Sequence, residues 1–278
     1  MGLGSNHLTT TTSENFIPAV WLNEVRAARE ANLVMAKRVK LINHTGKPGD
    51  TINIPDVSNL SATDKEAETE VSLSNPTETK FYVEINKWKH VAFLIEDIVK
   101  VQSATDLRKE YTNKAGYALA KSIDTDLLEL YSALSQSVGG AGVDIDEETI
   151  LSAKVLLDEA DTPRSDRTLL IAPSQEKSLL KIPRFTEADK ISDGGKALRE
   201  GMLGRIHGFD VFVSTNVPVD GNTIKNLAFH RDAFVLATQQ YPRVQAAYIL
   251  EYLGTMVVVD EIYGVAEFRD DHAVVLNS

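Results

Sequence analysis

Residues 199–218 read REGMLGRIHGFDVFVSTNVP, and this stretch says more about the fold than any other part of the chain. Glycines punctuate it, and after Gly208 apolar residues alternate with other residues over positions 209–214. We predict that a short helical segment ends at Gly204, that Gly208 turns the chain, and that residues 209–214 form a strand. The Asn-Val-Pro sequence that follows ends the strand, because proline cannot donate to a sheet ladder. The stretch therefore indicates a fold rather than a chemical activity.

The composition bounds the class of protein. The chain has 278 residues, of which 43% are hydrophobic and 25% charged, as in an ordinary globular protein of one large domain or two smaller ones. It has no cysteine, which excludes disulfides, thiolate metal sites and cysteine nucleophiles. No apolar run approaches the length of about 20 residues that a membrane-spanning helix needs.

The charge is uneven along the chain. The net charge is −11, but residues 1–50 hold six basic against four acidic residues, whereas residues 51–160 hold ten against twenty. A sequence-specific DNA-binding module usually carries a basic face, so this balance argues against that class. An acidic body that repels phosphates is better suited to a container wall.

Two alternating segments flank a long polar stretch. Residues 51–55 and 81–86 alternate as strands do, and about twenty polar residues separate them. We therefore predict a long hairpin. A loop of this length in a compact domain is usually functional or disordered. The loop carries a charged cluster that we propose as a subunit contact, and its members are Asp64, Lys65, Glu66, Glu68 and Glu70.

The clearest predicted helix covers residues 103–134, where apolar residues recur every three or four positions. A second helix is predicted over residues 146–160, a buried strand over 168–172 and a short helix over 174–181. Strands are predicted near the C-terminus at residues 226–229, 246–253, 255–259 and 272–276. Because helices and strands mix without regular alternation, we predict an α+β fold.

Motifs for catalysis are weak. Gly46-Lys47 lacks the preceding glycine of a phosphate-binding loop, and Pro48 follows it. The six histidines are scattered; His272 follows two aspartates, which favours a solvated loop over a metal site. Asp146 begins a calcium-loop-like pattern that lacks its glycine and closing glutamate, so we interpret it as a helix cap. The loop carboxylates could serve acid–base chemistry only if something held their geometry.

The N-terminal segment offers further contact candidates. Trp21 is a candidate interface anchor, because tryptophan is enriched in binding hot spots; for Trp88 an interface role and core packing are equally plausible. Basic residues interleave the apolar ones, and we take Arg26 and Arg29 as candidate subunit contacts. These two, with Lys37 and Arg38, could also touch DNA or form a solvated helix face.

Several segments together resemble one family. They are GDTINIP at 49–55, KAGYALAKSID at 114–124, ETILSAKVLLDEA at 148–160, PRFT at 183–186 and the opening stretch. In this order, over residues 16–276, the chain is similar to the major capsid proteins of tailed phages, which have the Hong Kong 97-like fold. The resemblance implies an N-terminal arm, an extended β-hairpin loop, a long spine helix in a peripheral domain, and an axial domain.

Applied to this chain, the resemblance implies four parts. Residues 1–50 would be the N-terminal arm and 51–90 the extended loop. The peripheral domain, with the spine helix, would take 91–138 and 241–264, and the axial domain 139–240 and 265–278. Some members of the family crosslink a loop lysine to a neighbour; Lys65 is suitably placed, but no matching partner is identifiable, and we expect no crosslink.

The resemblance also implies a function: self-assembly into the hexamers and pentamers of an icosahedral head that encloses double-stranded DNA. No enzymatic activity and no cofactor or metal would be expected. Partners would be further copies of the chain, a separate scaffolding protein, a portal, decoration proteins and non-specifically contacted DNA, with no membrane. The protein would lie in the virion after assembly in the host cytoplasm.

Two alternatives stay open at this stage. An encapsulin-like nanocompartment shell would have the same fold and would enclose cargo proteins. A small soluble α/β enzyme that uses the loop carboxylates or His272 belongs to another class and predicts a deep pocket with a perturbed carboxylate.

Overall fold

The computed structural model describes residues 16–46, 48–57, 62, 64–65, 67–68, 70, 78–97, 107–181 and 202–278. Four α-helices lie in these residues: α1 Phe16–Asn32, α2 Leu107–Leu128, α3 Glu147–Glu159 and α4 Pro173–Leu180. The strands are β1 Lys40–Asn43, β2 Thr51–Val57, β3 Glu78–Glu84, β4 Lys87–Glu96, β5 Ser137–Gly139, β6 Arg167–Ile171, β7 Met202–Ile206, β8 Phe209–Val213, β9 Val219–Asp220, β10 Thr223–His230, β11 Phe234–Ile249, β12 Gly254–Glu267 and β13 Ala273–Asn277.

One sheet, which we call the mixed sheet, has the strand order β5-β13-β10-β6-β8-β7, with β9 paired to β10. Successive residues of β6 and β10 enter different clusters: Leu170, Leu227 and Phe229 face one, Leu169 and Ala228 the other. The second cluster includes buried residues of α3 and α4, and the first includes residues of α2. The mixed sheet is therefore covered on both faces, as sheets with parallel pairs usually are.

The second sheet, which we call the long sheet, has the order β1-β11-β12-β4. Its two central strands have 16 and 14 residues, and at about 3.3 Å per residue β11 spans about 50 Å. One face is covered by α1 and the first half of α2, through a cluster that contains Val25, Leu119 and Val257. The second half of α2 packs between the two sheets.

The long helix α2 has 22 residues, about 33 Å, and a 3₁₀ segment Glu129–Ala133 continues it. The sequence predicted a helix over 103–134, and the part before residue 107 lies outside the described residues. A close helix contact occurs at Gly116, where an added Cβ would lie 2.7 Å from the Val25 carbonyl oxygen and 2.7 Å from the Ala28 Cβ. Only glycine allows α1 to approach α2 this closely.

The structure corrects the prediction for the opening stretch. Met202–Ile206 is strand β7, paired antiparallel with β8, and not the end of a helix. Gly204 has φ +140° and lies at a register shift in this pairing, so it serves as a bulge within the strand. The predicted turn at Gly208 and the strand after it are confirmed. The predicted part before residue 202 lies outside the described residues.

Further differences concern strand lengths. The predicted strand at 246–253 is the end of β11, which begins at Phe234, and residues 255–259 lie within the much longer β12. Ser137–Gly139, predicted as part of a helix-to-helix connection, adds a short parallel strand beside β13. The mixture of helices with both parallel and antiparallel pairing confirms the α+β fold class.

Candidate subunit interface

The hairpin of β2 and β3 is anchored to the rest of the protein by apolar packing at its base. Its strands pair from Thr51 with Glu84 to Val57 with Glu78. Val83 and Ile85 are buried against β11, and the Phe81 ring packs edge-on against the Phe268 ring at 5.2 Å. The direction in which the hairpin leaves the body is therefore fixed by apolar packing at its base.

A glycine of β12 makes this crossing possible. An added Cβ at Gly264 would overlap the carbonyl oxygen of Glu84 and would lie 3.0 Å from the Ile85 Cα. The link between β3 and β4 thus passes directly over the backbone of the long sheet. No larger residue fits at this position without moving that backbone.

The structure describes four of the five charged residues that the sequence analysis proposed as a subunit contact. Asp64, Lys65, Glu68 and Glu70 are exposed, and Glu66 lies outside the described residues. No ion pair within the subunit links those four side chains to other described residues. Their role as subunit contacts stays a prediction.

Of the three contact residues predicted on the N-terminal segment, two are buried and one is exposed. Trp21 is only 6% exposed and its ring stacks on that of Phe93, at 6.2 Å between centroids. Arg29 is buried as well, and its Nε lies 2.8 Å from Oε2 of Glu261 on β12. Arg26 is exposed. Trp21 and Arg29 therefore make their contacts inside the subunit, and Arg26 alone of the three faces outward.

Two buried carboxyl groups hold the N-terminal segment in place. Asp124 of α2 accepts backbone N–H bonds from Val34 at 2.8 Å and Ala36 at 3.1 Å. Burial raises the pKa of Asp124, and these hydrogen bonds oppose the rise. Burial likewise raises the pKa of Glu261, against the opposing charge of Arg29. Sequence reasoning missed both groups, since nothing local marks an acid as buried.

The second face of the long sheet is covered at one end by the base of the hairpin, where Val235 and Ala237 are buried against Val83 and Ile85. Along β4 it is open in the described part of the chain, and we call this part the open face. Side chains alternate along β4, so Phe93 and Ile95 point to the helices while Trp88 and Leu94 point away and are exposed by 69% and 37%. The Trp88 indole donates a hydrogen bond to Asp260 at 3.2 Å. This bond fixes an exposed tryptophan, which suits it to contact another protein.

The turn between β11 and β12 carries an apolar tip, which we define as Tyr248, Leu250, Tyr252 and Leu253. Leu250, Tyr252 and Leu253 are exposed by 78%, 60% and 64%. Single exposed apolar residues are common, but four large ones lie together at the end of the two longest strands, which makes the tip a candidate interaction site. A turn between the predicted strands 246–253 and 255–259 is confirmed. The exposure of the apolar side chains in the run YILEYL at 248–253 was not predicted from the sequence.

The described residues give little support to the alternative of an enzyme that uses His272 or a perturbed carboxylate. His272 is buried and its Nδ1 lies 2.9 Å from the adjacent Asp271, and no group of metal-ligating residues converges. An open cavity of about 470 Å³ adjoins His272 and is lined mainly by charged side chains. The carboxyl groups of Asp124 and Glu261 do not line it. Asp146 caps α3 through a 2.8 Å bond from the Thr149 N–H, so its predicted capping role is confirmed.

Comparisons with known proteins agree with this arrangement. A model of the phage capsid protein family matches residues 35–276. No curated protein sequence matches the chain significantly. In the described residues, no helix combines the length and apolar composition needed to cross a membrane.

Solved structures share the fold. The chain is similar to a protein of Mycobacterium phage Che8, with 24% identity over 88% of this chain and 90% of that one and a TM-score of 0.69. It is similar to the capsid of Cyanophage P-SCSP1u, with 16% identity, 88% and 87% coverage and a TM-score of 0.65. It also resembles a virus-like particle from Pyrococcus furiosus, with 15% identity, 94% and 99% coverage and a TM-score of 0.62.

The chain therefore belongs to the phage capsid protein family. It is a structural protein of the phage head, a major capsid protein that acts through assembly with further copies of itself. The capsid of the virion is its place of action.

Proposed function

We propose that this member of the phage capsid protein family forms the hexamers and pentamers of an icosahedral head that encloses double-stranded DNA. One observation supports this most directly. A packed body carries the hairpin of β2 and β3, the open sheet face and the apolar tip, all of which present surface suited to neighbouring subunits. Obligate assemblies bury large, apolar interfaces of this kind.

The hairpin, in this proposal, contacts a neighbouring subunit through its charged loop. Its base is buried within its own subunit, whereas Asp64, Lys65, Glu68 and Glu70 are exposed. Charged groups at such a contact select the partner and its orientation more than they add affinity.

The apolar tip and the open face supply the affinity in this proposal. Tyr252 and Leu250 present large apolar area at the end of a hairpin, and Trp88 is held in a fixed orientation by Asp260. Aromatic side chains that lose their contact with water on association are the usual source of binding energy.

The proposal also includes the other proteins of the phage head. We propose that assembly takes place in the host cytoplasm with a separate scaffolding protein and a portal, that decoration proteins can bind the outside, and that the protein has no enzymatic activity. A nanocompartment shell is the second candidate, because the virus-like particle from Pyrococcus furiosus has a similar fold. The contents of the particle separate the two: packaged DNA in one case and cargo protein in the other.

The experiment that tests the proposal removes the hairpin loop. Residues 58–77, between the ends of β2 and β3, are replaced by the two-residue turn Asn-Gly. Wild type and variant are co-expressed with the neighbouring phage genes and examined by negative-stain electron microscopy and light scattering. We expect closed shells from the wild type, and from the variant a folded subunit that forms none.

A second variant tests the apolar tip through Leu250→Ser and Tyr252→Ser and leaves the hairpin intact. We expect this variant also to fold but to yield open or no shells. Closed shells of normal size from the hairpin variant would refute the contact assigned to it, and a wild type that stays monomeric under every condition would refute the proposed assembly.

A further inference from the structure

The helices α1 and α2 present a basic surface on the side of the long sheet opposite its open face. Phe93 points toward these helices, because its ring stacks on that of Tyr111 of α2 at 5.2 Å, whereas its neighbour Leu94 points to the open side. The two sides of the long sheet therefore differ: one ends in apolar side chains and the other in the outward faces of two helices.

In the part of α2 after Glu110, the acidic side chains are buried and the basic ones are exposed. Between residues 111 and 128 both acids, Asp124 and Asp126, are buried, whereas both lysines, Lys114 and Lys121, are exposed. The exposed positions of this segment contain no carboxylate, and they are Tyr111, Asn113, Lys114, Tyr117, Ala118 and Lys121. A chain with a net charge of −11 thus keeps a positive surface on its longest helix.

We define the basic stripe as Lys114, Tyr117 and Lys121 of α2 with Arg26 of α1. The three α2 residues are spaced by three and four positions and so share one helix face. Lys114 and Lys121 lie two turns apart, about 10 Å along the axis. Arg26 is exposed on α1, next to Val25, whose carbonyl oxygen faces Gly116.

The side chains of the stripe are of the types that bind phosphate in other proteins. Lysine, arginine and tyrosine are among the donors that proteins direct at the sugar–phosphate backbone, without reading the base sequence. Glu24 of α1 and Glu110 of α2 are acids near the stripe. Glu24 accepts a hydrogen bond from the Thr112 hydroxyl at 3.2 Å. Glu110 Oε1 lies 2.9 Å from Lys114 Nζ, and the side chains of this second pair are largely exposed. Such a solvated pair is weak and can be exchanged for a phosphate. A hydrogen bond with Glu110 raises the pKa of Lys114, which keeps this lysine charged.

We propose that the basic stripe contacts the phosphate backbone of double-stranded DNA, so that the helix-covered face of the long sheet is the face turned toward the packaged genome. This inference rests on the proposed function and adds to it the surface that meets the DNA. Since few charges take part in each subunit, the contact is weak for one subunit and accumulates over the many subunits of a shell.

A protein partner fits this surface less well than DNA. Protein interfaces are depleted in lysine and enriched in large apolar side chains at their centres, and those features lie on the open face and the apolar tip. The other source of negative charge is the acidic loop of a neighbouring copy. The experiment distinguishes these two partners.

The experiment measures binding of the full-length unassembled subunit to a short mixed-sequence DNA duplex at several salt concentrations. The stripe variant carries Lys114→Gln and Lys121→Gln, which remove two charges at positions where glutamine is as good a helix former as lysine. The control variant carries Lys177→Gln and Lys181→Gln, two exposed lysines at the end of α4. Thermal unfolding confirms that each variant is folded, and electron microscopy records its shells.

We expect the wild type to bind with a dissociation constant of about 10⁻⁴ to 10⁻⁶ M at physiological salt, as non-specific DNA binding does. In the stripe variant the slope of log affinity against log salt falls by about 2, near one unit per lysine removed, and the control keeps the wild-type slope. Shells of the stripe variant form and retain less DNA.

Equal affinity and slope in wild type and stripe variant would overturn the inference, whether or not shells form. Loss of shells in the stripe variant, with DNA affinity unchanged, would overturn it as well and assign the stripe to a neighbouring subunit. Failure of the wild type itself to assemble, with the salt slopes as expected, would refute the proposed function and leave the DNA contact intact.

Discussion

The two sheets of this protein differ in how completely the chain covers them. In the mixed sheet every residue of β6 is buried, and clusters of apolar side chains lie on both faces. In the long sheet one face is covered by α1 and α2, while the other exposes Trp88 and Leu94 in the described part of the chain. The mixed sheet is thus built for the stability of the subunit, and the long sheet leaves apolar surface for other subunits.

The largest expected effect concerns the helix that covers the long sheet. Arg29→Met leaves the buried Glu261 without its cation, and Oε1 of Glu261 already has no hydrogen-bond partner in the described residues. We expect a loss of about 3–5 kcal/mol in the free energy of unfolding, measured by urea denaturation.

The double variant Arg29→Met with Glu261→Leu is the control for this prediction. Because it removes both buried charges, we expect it to recover most of the loss. A double variant no more stable than Arg29→Met would mean that the arginine acts through packing and not through its charge.

The direct comparison of the two sheets uses one substitution in each. Leu169→Ala opens a cavity in the mixed sheet, and we expect a loss of about 2–5 kcal/mol in the free energy of unfolding. Leu94→Ala truncates a partly exposed residue of the long sheet, and we expect a loss of less than about 1 kcal/mol together with weaker shell assembly. Similar losses of stability at the two positions would contradict the difference between the sheets.

The smallest expected effect is a pH dependence of opposite sign at two aspartates. Burial raises the folded-state pKa of Asp124 above its ordinary 3.8, so the stability it contributes is present below that value and is lost as pH rises through the folded pKa. We expect the difference in unfolding free energy between wild type and Asp124→Asn to shrink as pH rises from about 4 toward neutrality.

Asp146 supplies the matched control. Hydrogen bonds from Thr149 lower the pKa of Asp146, so its contribution is present above 3.8 and is lost as pH falls through the folded pKa. The difference between wild type and Asp146→Asn should therefore grow as pH rises toward about 4 and change little above it, since asparagine keeps the cap without the charge. Denaturation series at several pH values measure both, and parallel curves for the two variants would refute the assignment of Asp124 as a buried acid.

Local patterns predicted the elements that depend on local chemistry. The spacing of apolar residues predicted α2, and the position of Asp146 before a helix predicted its cap. Residues 202–206 were wrongly predicted as the end of a helix. In a strand with a glycine bulge, the apolar residues follow neither the period of two of a strand nor the period of 3.6 of a helix. The first half of β11 was missed because its residues are buried on both sides and do not alternate.

The candidate contact residues show what sequence reasoning cannot reach. The sequence favoured Trp21 over Trp88 as an interface residue, yet Trp21 is inside the subunit and Trp88 is exposed. The placement of each depends on which face of the long sheet the helices cover. The burial of Arg29 depends on Glu261, which is more than two hundred positions away in the chain. Long-range contacts of this kind leave no local signal.

The irregularity in the middle of β11 has a mechanical consequence. Register shifts against β12 occur between Thr238 and Gln240 and between Gln240 and Arg243, so the strand pair is regular on both sides and bends between. Asp260 of β12 accepts hydrogen bonds from the Gln240 and Arg243 side chains across this irregular segment, so the bend is braced. The angle at which the turn at Leu250 leaves the rest of the long sheet is therefore set by this bulge and its hydrogen bonds, and not by a flexible link.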